Sequence, residues 1–164
     1  MATSLEMTRE IFIECNWSYD VSPEKHYGYS SVMSCLQESA KEMDEAGKPN
    51  HAKVLELLSR AASMMLRANS LNEPFTAYFR DFQAGRRSAQ PEDFTAEELI
   101  FFETILNDID ELWLKARLAD LLWLLRKPKN PEHAKIAIDS YVSNPIDSET
   151  WHRDVRNGWE RAAR

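Results

Sequence analysis

Apolar positions recur every three to four residues over most of this chain, which is the spacing of one face of a helix. From about Ser30 to Ala46 that face is Val32, Met33, Leu36, Ala40 and Met43. Gly47 closes the helix, because glycine takes the left-handed conformation without a Cβ clash. Pro49 opens the next, where its missing N–H leaves nothing unsatisfied. The second run continues to about Ala68 through Val54, Leu57, Leu58, Ala61, Ala62, Met65 and Leu66. Two amphipathic helices joined by so short a turn predict an antiparallel helical hairpin.

The pattern is weaker on either side. Residues 5–14 predict a short helix through Leu5, Arg9 and Ile13, although Ile11–Ile13 also suits a strand. Asn16–Tyr29 carries Pro23, Gly28 and small polar residues that break any period, so 1–29 is expected to be less regular. Residues 69–94 form the longest break and predict a long loop. Within it Phe75, Tyr78, Phe79 and Phe82 lie close together, ahead of a polar segment with Gly85, Arg86, Arg87 and Pro91. A connection of that length in a small domain is either functional or packed under its own side chains.

Thr95–Val142 is the most densely patterned stretch, and it is expected to form the core. Thr95 and Glu98 have the spacing of a capping box, in which each side chain takes the other's backbone N–H. The helix they start runs through Leu99, Phe102, Ile105, Leu106 and Ile109 and breaks near Asp110–Glu111. The next helix, over LWLKARLADLLWLLRK, is apolar around most of its circumference, as a helix buried between neighbours would be. Pro128 and Pro131 stop it, and a further helix covers Pro131–Tyr141. Ser148–Arg164 predicts a last helix with Trp151, Val155 and Trp159 on one stripe. His51-Ala52-Lys53-Val54 and His133-Ala134-Lys135-Ile136 echo one another, each just after a proline at a helix start. Repetition of a helix–turn–helix unit suggests a solenoid.

These elements predict an all-α domain spanning 1–164, with six or seven helices packed as antiparallel hairpins in a bundle or short α-solenoid. The 164 residues suffice for one buried core and are short for two. A net charge of −7 disfavours broad nucleic-acid binding, which needs a cationic surface to displace phosphate counterions. There is no apolar run of membrane-spanning length, no secretory signal and no paired-cysteine framework, so a cytoplasmic protein is expected.

Little in the sequence carries chemistry. Arg126 and His133 have an R-x6-H spacing at the outer range of HEPN-type ribonuclease motifs. There Arg stabilises a scissile phosphate and His moves a proton without a metal. The bland reading is a solvated helix end with Arg126 and Lys127 complementing the dipole. Arg80, Arg86 and Arg87 around Gly85 are candidates for anion binding, against pairing with Asp81, Glu92 or Asp93. Trp151, Val155, Arg156 and Trp159 are interface candidates, aromatic and arginine anchors being enriched at such surfaces. Glu149 and His152 give one E-x-x-H pair where a di-iron bundle needs two, and Cys15, His26 and Cys35 lack a fourth zinc ligand. No metal or cofactor is expected.

At LKARLADLLWLLRK and the AIDSYV helix that follows, the chain resembles an uncharacterised bacterial helical family. The Gly47–Met65 hairpin, the Asn72-Glu73-Pro74-Phe75 turn and Arg87-Ser88-Ala89 with Pro91, Asp93 and Phe94 are similar too, covering most of 27–142. Modules of that family sit near the N-terminus of larger proteins, upstream of a HEPN-like domain. The resemblance implies an all-α accessory module, in a defence or RNA-targeting setting, with no catalytic residues to carry over. The expected role is a non-catalytic interaction or regulatory module that binds a partner protein or a second copy. The alternative is a metal-independent ribonuclease or RNA-binding module using Arg126 and His133.

Overall fold

The computed structural model describes residues 29–88, 90–91 and 93–143, together with Glu6 and Thr8. Among them are six α-helices and no strand: α1 (Tyr29–Glu45), α2 (Pro49–Ser70), α3 (Phe75–Gln83), α4 (Ala96–Ile105), α5 (Leu112–Leu125) and α6 (Pro131–Ser143). A single 3-10 turn, Leu106–Asp108, follows α4. The predicted helix at 5–14 lies outside the described residues except for Glu6 and Thr8, and the predicted helix at 148–164 lies wholly outside them.

The α1–α2 hairpin forms as the sequence predicts. Gly47 adopts φ +78°, and Lys48 N–H bonds Met43 C=O at 2.8 Å, so the last carbonyls of α1 are satisfied. Val32, Leu36, Ala40 and Met43 face α2, which answers with Val54, Leu55, Leu57, Leu58, Ala61, Ala62, Met64 and Met65. With 22 residues, α2 is the longest helix and packs against α1, α3 and α5 at once. Its small Ala61, Ala62 and Ala68 let those neighbours approach closely. At the outer edge of α1, the Thr8 and Ser39 hydroxyls meet at 2.7 Å, and Thr8 Oγ1 also donates to Cys35 C=O at 3.2 Å.

The segment predicted as a loop at 69–94 contains a helix instead. Asn72 reverses the chain at φ 56°, a conformation its short polar side chain tolerates, and Pro74 then leads into α3. Phe75, Tyr78, Phe79 and Phe82 stand at i, i+3, i+4 and i+7, so the aromatics that look like loop anchors are the core face of a nine-residue helix. Phe79 packs 5.4 Å from Phe94 and 6.5 Å, edge-on, from Phe75. Gly85, at φ +75°, ends this helix.

The Thr95–Glu98 capping box is present: Glu98 N–H donates to Thr95 Oγ1 at 3.2 Å, and Thr95 N–H to Glu98 Oε1 at 3.3 Å. α4 buries Leu99, Phe102 and Ile105, and the linker buries Leu106 and Ile109. α5 is buried nearly all round, as its sequence predicts, and it also encloses the charged Arg117 and Asp120, neither of which is without a partner. α5 ends at Arg126, and Asn130 starts α6, its Oδ1 accepting from Glu132 N–H at 3.0 Å. The α5–α6 hairpin repeats α1–α2. In both, proline is the first residue of the second helix, with histidine then alanine buried and lysine exposed, so the His51 and His133 echo is structural.

Candidate functional site

Three side-chain groups stand out among the described residues, and the sequence points to part of only two of them. The first is a stripe of cations seven residues apart on α2: Lys53, Arg60 and Arg67. Each lies over an aromatic ring, Lys53 over Phe101 at 5.1 Å, Arg60 over Phe94 at 5.9 Å and Arg67 over Tyr78 at 5.7 Å. Arg60 grips Glu98 with two N–H donors at 2.9 and 3.3 Å and reaches Asp93 C=O at 2.7 Å. Arg67 holds the Asp93 carboxylate, which is 1% exposed and also accepts from Gln90 N–H at 2.7 Å. The stripe therefore fastens residues 90–101 along α2 in antiparallel order.

The arginine cluster predicted as an anion site joins this seam. Arg87 lies over Tyr78 at 4.8 Å and is ion-paired to Glu73, with Asp81 at 3.6 Å. Arg86 meets Asp81 at 3.2 Å. Of the three, only Arg80 is exposed with no ion-pair partner among the described residues. Glu73 and Asp81 thus face two of the three arginines, both meeting Arg87 through one terminal nitrogen, while its buried Nε has no hydrogen-bond partner.

The second group surrounds the α5–α6 turn. Arg126 pairs through Nε with Glu103 on α4, so its charge is committed within the fold. His133 is 4% exposed, and its buried Nδ1 has no hydrogen-bond partner. Burial and the nearby Arg126 hold the imidazole below the usual histidine range, with Glu132 opposing them. Lys129 Nζ donates to Trp123 C=O at 2.6 Å and Leu124 C=O at 3.2 Å, closing the open end of α5. Arg126 and His133 are thus neighbours, as the spacing suggests. Yet the arginine faces a carboxylate and the histidine lies inside the hairpin.

The third group was not singled out from sequence. α4 exposes Ile100 and Phe101, at 50% and 42%, with Glu97 and Thr104 on the same outward stripe. The signal was there: AEELIFFETI is apolar on both sides, more than one buried face requires. Phe101 is steadied from below by Phe102, edge-on at 5.3 Å, and from the side by Lys53.

Trp151, Val155, Arg156 and Trp159 lie outside the described residues, as do Glu149, His152, Cys15 and His26. Cys35 is half-buried and unbridged, its thiol pushed up by burial and then by Glu38. Among the described residues no group of three or more His, Cys, Asp or Glu is placed to hold a metal, and no helix is long and apolar enough to cross a membrane.

No curated protein and no solved structure matches the chain. A family model matches residues 2–164, nearly the whole sequence. On that match the chain belongs to the family described as Domain of unknown function (DUF7380).

Proposed function

We propose that this chain is a non-catalytic protein-interaction module whose contact surface is the outward stripe of α4. The observation that carries the reading is the pair Ile100 and Phe101, two large apolar side chains adjacent on a firmly capped helix and open to solvent. Ile and Phe in adjoining exposed positions make a patch with a small polar rim, the composition of an interface centre. Glu97 at the start of the stripe and Asp108 just past its end bring negative charge to the rim. A partner with an apolar centre and basic flanks suits it, and that partner is either another protein or a second copy of the chain.

The same geometry weighs against catalysis. Arg126 is ion-paired to Glu103, so the cation that the ribonuclease alternative assigns to the phosphate is already engaged. Arg87 is likewise ion-paired to Glu73, and Arg86, 70% exposed, to Asp81, which weighs against an anion sensor built on that pair. A place beside a HEPN-like domain in a bacterial defence or RNA-targeting system rests on the sequence resemblance alone.

Light scattering on the purified chain, with affinity capture from its native cells, tests the reading. The wild-type chain is expected to self-associate or to retain a defined partner, and Ile100→Asp with Phe101→Asp to lose that association while staying folded. A strictly monomeric chain that captures nothing, or a complex indifferent to the double substitution, overturns it.

A further inference from the structure

The repeated Pro-x-His-Ala-Lys unit sets two histidines in matching positions, and their surroundings differ: one ring is bonded to a carboxylate and the other is not. His51, third residue of α2, places Nε2 2.7 Å from Asp110 Oδ1, with Lys48 also near that carboxylate. His133, third residue of α6, is buried to the same degree, but no carboxylate is bonded to it. Its buried Nδ1 is unbonded, and its near charges are Arg126 from the end of α5 and Glu132 from α6 itself. Arg126 is ion-paired to Glu103 from α4, which favours keeping its guanidinium at this turn.

We propose that His133 is an acid-sensitive latch: its protonation loosens α6 from α5 while the α1–α2 hairpin stays closed. The α1–α2 hairpin has no equivalent unpartnered ring, because His51 is bonded to Asp110. A proton on His133 adds a charge to a buried ring beside the Arg126 guanidinium, with Glu132 and the Glu103 carboxylate paired to that arginine as the opposing charges. The sign follows from linkage. The folded state prefers the neutral ring, so the contribution of His133 is complete above the ordinary histidine value of about 6.5 and declines as the pH falls below it. α6 is the element exposed to this loss, since its packing is chiefly against α5.

Amide exchange of the intact chain at pH 7.5 and pH 5.5, corrected for intrinsic rates, reads the latch directly. Peptides covering 131–137 are expected to lose protection several-fold more on acidification than those covering 52–65. His133→Leu should remove the difference, and Arg126→Gln should shrink it by relieving the repulsion. Should His133→Leu fail to fold, the imidazole proton resonances of the wild type decide: His133 is expected to titrate below free histidine. Equal loss of protection in both hairpins, an acid response that survives His133→Leu, or a His133 that titrates at or above free histidine overturns the proposal.

Discussion

His51 on α2 and Asp110 in the linker before α5 lie 59 residues apart in sequence and meet at 2.7 Å, Nε2 to Oδ1. The histidine side chain is 8% exposed and the carboxylate 74%, so a buried ring anchors a surface linker. The contact fixes the path from α4 to α5 against the start of α2. It holds the Asp110 carboxyl below the ordinary carboxylate range, chiefly through the His51 hydrogen bond and then Lys48.

Asp110→Asn is therefore expected to lower stability at neutral pH. Because the folded-state carboxyl is depressed, its contribution is present above the unfolded value of about 3.9 and is lost as the pH falls through the folded one. Urea unfolding should show wild type and variant separated at pH 7 and converging in acid below about pH 4. Curves that differ equally at pH 7 and pH 3 would contradict this account of the contact.

Arg67 and Asp93 make a stronger demand on the fold. The Asp93 side chain is 1% exposed and Arg67 25%, so removing the arginine strands a carboxylate in the interior. Breaking such a pair from one side costs about 3–5 kcal/mol. Arg67→Met should fall in the lower part of that range, because Gln90 N–H still reaches the carboxylate. Adding Asp93→Asn should recover part of the loss. Chemical denaturation of the two variants checks both values, and a double mutant no more stable than Arg67→Met would contradict the stranded-charge explanation.

Phe79 tests whether 75–83 is packed structure. It contacts Phe75, Phe82 and Phe94 at ring distances of 6.5, 6.3 and 5.4 Å and is buried. A buried Phe→Ala costs about 3–5 kcal/mol, whereas the same change in a solvated loop costs little. Thermal or urea unfolding of Phe79→Ala distinguishes these outcomes. A cost near zero would return the segment to the loop that its proline, glycine and asparagine content predicts.

Much of the fold was legible because its signals are local. Gly47 with Pro49, Thr95 with Glu98, and the apolar circumference of α5 each dictate a helix end or a buried helix from neighbouring residues alone. α3 was obscured because Asn72, Pro74 and Gly85 bracket it closely, and turn residues outweighed a four-aromatic helical spacing. The site was harder. The pairing of Arg67 with Asp93 and of Arg126 with Glu103 spans 26 and 23 residues, so no local pattern reveals which cations are neutralised. Lys53, Arg60 and Arg67 did announce a single stripe through their seven-residue spacing, but their aromatic partners lie on α3, α4 and the turn between them. Ile100 and Phe101 hid among apolar neighbours, since composition alone does not say which side of α4 faces the core.

On the proposed reading, α4 touches another protein surface through Phe101. A photo-reactive phenylalanine analogue at position 101, in the full chain within its native cells, measures this most directly. Position 71, 52% exposed at the far end of α2, serves as the control. Illumination is expected to give a defined protein adduct from position 101 and none from position 71. No adduct at 101, or the same adducts from both positions, would contradict the account.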